Sequence, residues 1–168
     1  EADGTLGPPL ATVTHGSMIY LEGPMGTFLF PEEPPPQRLL FVAGGTGIAP
    51  LRAMIDHVLR GEPTYRLSLL YSARNGDEFA FSEELRAHED SGRLELLTDG
   101  KSRNEFGTWS QDGTLVGYSS TRRNGTDTDL YIVNPRDAKS DRRVAERTGG
   151  GWNFADFAPD GSHAVVTE

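Results

Sequence analysis

The chain contains no cysteine, which removes disulfides, a thiolate nucleophile and any cysteine-ligated metal site from consideration. No apolar run approaches the roughly 18–20 residues that cross a bilayer. No basic-then-apolar segment opens the chain either, and Glu1-Ala2-Asp3-Gly4 reads as the interior of a domain. A soluble, cytoplasmic protein with no membrane partner is therefore expected. Positive charge is also scarce. Sixteen Lys plus Arg against 25 Asp plus Glu leave a net charge of −9, which argues against nucleic acid as a partner. The deficit is steeper up to residue 96, with 7 Arg against 14 acidic residues, than after it, with 9 basic against 11 acidic. The four histidines, His15, His57, His88 and His163, are too dispersed for a metal site, and no metal ligand is assigned. A hydrophobic content of 36% and a mean hydropathy of −0.48 are ordinary for a soluble domain, and 168 residues suffice for one good core or two incomplete ones.

What is present is concentrated in residues 39–50. The apolar run Leu39–Ala43 feeds a glycine-rich turn, Gly44, Gly45 and Gly47, after which Leu51, Met54, Ile55, Val58 and Leu59 recur at spacings of three and four. This predicts a buried strand, a tight turn and an amphipathic helix from Pro50 to residue 60, with Gly61 just past its end. Such a corner presents unpaired backbone N–H groups and the positive end of a helix to an anion. Gly44, Gly45, Thr46, Gly47 and Pro50 are therefore candidate phosphate-binding residues: the glycines for close approach, Thr46 for its hydroxyl, Pro50 for shaping the turn. Arg74, just past the second strand on the same edge, is a candidate nucleotide contact. No catalytic residue is assigned.

Short strands and turns are expected over residues 1–30, with a strand at Ser17–Glu22 and a turn at Gly23-Pro24-Met25-Gly26. Residues 31–37, Pro-Glu-Glu-Pro-Pro-Pro-Gln, read as a stiff linker. Further strands are expected at Tyr65–Ser72 and Arg93–Leu97. Between them a helix is expected within Asp77–Asp90, with Ser82 as its cap and Glu83 and Glu84 in its first turn. Alternation of strand and helix implies a parallel sheet. Past Thr98 the helical periodicity ends, and short β-like runs (Leu115–Ser119, Asp129–Val133, Ala164–Thr167) alternate with Asp/Gly/Asn turns. Trp109-Ser110-Gln111-Asp112-Gly113 is echoed by Phe157-Ala158-Pro159-Asp160-Gly161 at blade-like spacing, which suggests repeats of a β-propeller. Asn124, Asp127 and Asp129 fit turns better than a calcium loop.

Two resemblances follow from these motifs. Residues 4–96 resemble the ferredoxin–NADP reductase superfamily of flavin-dependent NAD(P)H reductases. The resemblance rests on Gly23-Pro24-Met25-Gly26-Thr27-Phe28, Phe41–Pro50, Leu70-Tyr71-Ser72-Ala73-Arg74 and Phe81-Ser82-Glu83-Glu84-Leu85. It implies that the first segment closes a flavin-binding barrel and that the glycine turn holds the NAD(P) pyrophosphate. The implied FAD site is incomplete: the family's Arg-x-Tyr-Ser motif is absent, position 7 carries no hydroxyl, and the Cys-Gly-Pro segment near the nicotinamide is missing. From residue 96 onward the chain resembles TolB-type propeller repeats, closest to those that gate prolyl-oligopeptidase-family serine peptidases. No Gly-x-Ser-x-Gly elbow accompanies them.

The expectation is thus an α/β plus all-β chain that looks like a fusion of two fragments. Its parts are a barrel remnant at 1–30, the linker at 31–37, a partial NAD(P)-binding domain with a three-stranded parallel sheet at 38–96, and about one and a half propeller-like blades at 97–168. A partial blade set must lean on the α/β sheet, pair with another chain through its unpaired β edges, or stay loosely ordered. The functional expectation is an NAD(P)H-binding oxidoreductase fragment, not catalytically complete, with a dinucleotide and a redox partner as its ligands. The alternatives are a propeller interaction or gating module, and a chimera with no function of its own.

Overall fold

The computed structural model describes residues 7–20, 22–23, 25–30, 38–61 and 65–168, and the chain divides after Pro31 into two units. The first unit holds one short helix, α1 (Gly7–Ala11), closed by the Thr12 hydroxyl donating to the Pro9 carbonyl at 2.8 Å. The strand expected at Ser17–Glu22 does not form: Ser17–Tyr20 is irregular, Leu21 lies outside the described residues, and Met18 and Tyr20 are 88% and 97% exposed. An apolar run becomes a strand only beside a partner strand, and the described residues of this unit offer none. The Pro-rich stretch at 31–37 lies outside the described residues.

In the second unit, β1 (Arg38–Gly44), β2 (Arg66–Ser72) and β3 (Leu94–Leu96) pair in parallel in that order. Two helices connect them, α2 (Ile48–Arg60) and α3 (Ser82–Asp90). The helix after β1 begins two residues earlier than expected, because Gly47 is already α-like (φ −61°, ψ −12°) and Pro50 fits within the first turn, where its missing N–H costs nothing. Ser82 is not the cap of α3. Phe81 takes that position in the left-handed region (φ +60°), with no side-chain cap bond, and Ser82 is the first helical residue. Arg52 of α2 grips Glu84 of α3 through Nε at 3.0 and 2.9 Å and stands 4.8 Å over the Phe81 ring.

Strand β2 decides the layering. Its residues Leu67 to Tyr71 are all buried, so the sheet is covered on both faces. Side chains alternate along a strand: Leu67, Leu69 and Tyr71 share one face, Ser68, Leu70 and Ser72 the other. The second face is covered by a four-stranded antiparallel meander: β4 (Asn104–Trp109), β5 (Val116–Ser120), β6 (Asp129–Asn134) and β7 (Asp137–Ala145). Leu70 and Leu97 pack with Val116, Tyr118, Tyr131 and Val133 in one buried cluster, flanked by Leu40, Phe106 and Ala138. Residues past 97 therefore lean on the α/β sheet. Alternate residues of the meander, Leu130 and Ile132, face away and pack with Phe154 and Phe157 of a hairpin, β8 (Asn153–Phe157) and β9 (Ala164–Thr167). Among the described residues no sheet closes on itself and a propeller is not shown: the arrangement there is one parallel and two antiparallel open sheets.

Gly107 and Gly117 make the last layer fit. A Cβ on Gly117 would stand 2.7 Å from Phe154 Cγ, and one on Gly107 2.7 Å from Phe154 Cβ, so both are glycine to admit that ring. The echoed Asp-Gly segments fold alike. In each, the glycine (Gly113 at φ +66°, Gly161 at φ +69°) donates to the carbonyl three residues earlier, and the preceding aspartate (Asp112, Asp160) accepts from the Thr114 or Ser162 amide and hydroxyl. The start of β6 is fixed by charge. Asp129 is fully buried and receives Arg123 (2.7 Å), Arg143 (3.3 Å) and the Arg147 amide (2.9 Å). Burial alone pushes its carboxyl up, but these donors outweigh it and hold it below the usual carboxylate range. Asp127, held by the Gly149 amide, Asn124 and Arg123, is likewise lowered, and Asn124 forms the turn expected of it.

Two outcomes are expected. Gly117→Ala forces the Phe154 ring out of place and costs roughly 1–3 kcal/mol, read as a lower urea midpoint; an unchanged midpoint contradicts this packing. Carboxyls that bind protons more weakly when folded stabilise the fold above the unfolded pKa of about 3.9 and lose that contribution as pH falls through their folded values. Their contribution is therefore full at neutral pH and is lost as the pH falls below about 3.9. Asp129→Asn lowers the plateau and flattens that acid limb; an unchanged limb contradicts the assignment.

Candidate functional site

The corner where β1 hands over to α2 is built from Gly44, a 3-10 turn at Gly45–Gly47, and the first turn of α2. Phe41 and Ala43 anchor the incoming strand in the core, and Ile48, Leu51 and Ile55 anchor the outgoing helix. Between these anchors Gly44, Thr46, Gly47, Ala49 and Pro50 are exposed. Gly45 sits at φ +50°, a conformation that favours glycine. Gly44 and Gly47 have ordinary angles, and a Cβ on either would meet no protein atom within 4 Å. Neither backbone strain nor internal crowding demands glycine there; what glycine secures is a bare surface over the turn.

The electrostatics suit an anion. The Ile48 amide folds back onto the Gly45 and Thr46 carbonyls, while the first turn of any helix leaves N–H groups without intrahelical acceptors. α2 carries no acidic residue in its first turn, whereas α3 carries Glu83 and Glu84, so the positive end of the α2 dipole is uncompensated. The Thr46 hydroxyl makes no hydrogen bond among the described residues. The residues present thus fit a phosphate.

Gly44 pairs with Ser72, so the glycine corner and the segment carrying Arg74 leave the sheet at the same edge. Arg74 is exposed, and its guanidinium has no partner among the described residues. Sequence reasoning missed the residue that ties the two segments together. The buried Tyr71 phenol donates to the Gly45 carbonyl at 3.2 Å and accepts from the Ala80 amide at 3.1 Å. Its ring meets Phe79 edge-on at 4.8 Å, and burial pushes its pKa above the ordinary value. The available signal was a tyrosine next to the end of a strand that faces helices. Thr98 continues the ladder beyond β3, its hydroxyl accepting from the Tyr71 amide at 3.1 Å and donating to the Tyr71 carbonyl at 2.7 Å.

Comparison with known proteins agrees with this geometry. The model of the family described as "Oxidoreductase NAD-binding domain" matches residues 41–128, just over half of the chain. That span starts in β1, takes in the glycine corner and Arg74, and continues past residue 96 through β5. The toluate 1,2-dioxygenase electron transfer component of Pseudomonas putida is 27% identical over 122 residues, 71% of this chain and 35% of that protein. Ferredoxin–NADP reductase B of Sorangium cellulosum is 38% identical over 73 residues, 43% of this chain and 29% of the relative. NADH-cytochrome b5 reductase 1 of Cryptococcus neoformans is 33% identical over 84 residues, 49% and 28% respectively. The chain thus spans about a third or less of the length of these relatives. No solved structure matches. With the strand–glycine turn–helix corner in place and the family match running across it, the chain belongs to the oxidoreductase NAD-binding domain family.

Proposed function

We propose that the Gly44–Pro50 corner binds the pyrophosphate of NADH or NADPH, and that the chain is the dinucleotide-binding part of a flavin-dependent reductase serving a redox partner. The observation that carries this is the bare, exposed surface over Gly44 and Gly47 at the uncompensated N-terminus of a 13-residue helix. In this reading Gly44 and Gly45 let the phosphates approach the backbone. Thr46 donates its hydroxyl, Gly47 and the first turn of α2 supply amides and dipole, and Pro50 holds the turn in helical geometry. Arg74 contacts the nucleotide from the neighbouring segment. Tyr71 positions the corner by holding the Gly45 carbonyl. A bound nicotinamide dinucleotide supplies a hydride; the residues here bind and orient it. The described part of the Gly23–Phe28 segment forms no strand, and the chain lacks the Arg-x-Tyr-Ser motif, so no flavin contact is assigned to these residues.

One observation favours a second reading, in which β4–β9 is an interaction module derived from propeller repeats: the two Asp-Gly turns share the same hydrogen bonds. Titration with NADH and NADPH separates the two. Gly47→Glu introduces a carboxylate without strain or clash, so the fold is kept while phosphate is repelled. Saturable dinucleotide binding, weakened about tenfold or more in this variant, supports the first reading. Absence of binding at millimolar dinucleotide, or equal binding by the variant, contradicts it.

A further inference from the structure

The opposite edge of the parallel sheet carries a second cluster of charge. Arg38 opens β1, Arg66 opens β2, and the two are register partners; Arg93 stands beside Arg66, because the next residues, Leu67 and Leu94, are paired. Adjacent strands lie about 4.8 Å apart, and like charges in direct register oppose folding. The three arginines share the side of Ser68 and Leu70, the face toward the meander. The β6–β7 turn and the start of β7 approach them on that side with Arg136 and Lys139, and the two walls border an open cleft of about 570 Å³ lined also by Ser68 and Ala138. The walls are fixed to each other. The Ser68 hydroxyl donates to the Pro135 carbonyl at 2.6 Å, and Glu95 accepts from the Ala138 amide at 3.1 Å.

None of the five cations forms an ion pair among the described residues; the Arg38 guanidinium reaches only the Arg136 carbonyl, at 3.5 Å. Glu89 and Glu95, the two carboxylates in the lining, each accept from a backbone amide. A chain of net charge −9 thus gathers unpaired positive charge around a concavity of small-molecule size.

We propose that this cleft binds a small organic anion bearing two or more phosphate groups, separately from the dinucleotide corner at the other end of the strands. Arginine forks match phosphate oxygens pairwise, the bound charge relieves the repulsion along the row, and the concave shape suits a small ligand better than a flat protein surface.

The test is calorimetric titration of the full chain, carrying Gly47→Glu to silence the glycine corner, with inorganic pyrophosphate at low ionic strength. Saturable binding is expected. Adding Arg66→Gln and Arg93→Gln is expected to weaken it by about 100-fold without lowering the melting temperature, since like-charge repulsion is removed. Three results overturn the proposal: no saturable binding at millimolar pyrophosphate, binding equal with and without the two arginines, or a lower melting temperature that makes them structural. Binding of an acidic peptide such as polyglutamate but not of pyrophosphate also overturns it, in favour of a protein-docking surface. Pyrophosphate binding lost on introducing Gly47→Glu into the parent chain would place the anion at the corner alone, which contradicts this proposal while leaving the dinucleotide reading intact.

Discussion

Leu70 of β2, packed against Val116, Tyr118, Tyr131 and Val133 of the meander, is the contact on which the rest of the structure rests. A parallel strand buried on both faces needs cover on both, and here helices cover one side and an antiparallel sheet the other. Six buried side chains form this seam. At roughly 1.5–3 kcal/mol each they contribute on the order of 10 kcal/mol before chain entropy, comparable with the whole net stability of a small domain. Polar contacts reinforce it: Ser68 to Pro135, Ser72 to the Asn104 amide, and Glu95 to Ala138. The parallel sheet and the meander thereby share one core, and the hairpin packs in a second cluster on the meander's other face.

This seam also braces the glycine corner. With β2 held from both sides, Tyr71 is fixed on the helix face, and its phenol locks the Gly45 carbonyl and the Ala80 amide. Within the turn Gly44–Gly47 the one side chain beyond hydrogen is that of Thr46. The half-buried Arg52–Glu84 fork between the helices adds modest energy, but it ties the two helices that flank the same edge.

The corner was legible in the sequence because its signals are local: an apolar run, clustered glycines and a helical period follow one another without a break over residues 39–59. The turns at Asp112-Gly113 and Asp160-Gly161 were legible for the same reason. Strand β7 was not, since Asp137–Ala145 is charged and mostly exposed, as an edge strand that resists pairing must be. Strand β4 was hidden by Gly107, which reads as a breaker and is there to admit Phe154. The Ser17–Glu22 segment erred the other way: its composition suits a strand, but strands exist only as pairs. The arginine row escaped notice because Arg38, Arg66 and Arg93 are far apart in sequence and adjacent only through register. Tyr71 escaped because its role depends on two backbone atoms that sequence does not locate.

The parallel sheet thus presents two chemically distinct edges: amides and a helix dipole at the C-terminal edge, a row of guanidinium groups at the other. The central claim is that the dinucleotide meets the first of these. Backbone amide chemical shifts, followed by NMR while NADH is added to the full chain, test it most directly. The account predicts shifts that saturate together at Gly45, Thr46, Gly47, Ala49 and Arg74, with Arg66 and Arg93 unmoved. Shifts confined to other parts of the chain, with the glycine corner silent, would contradict it.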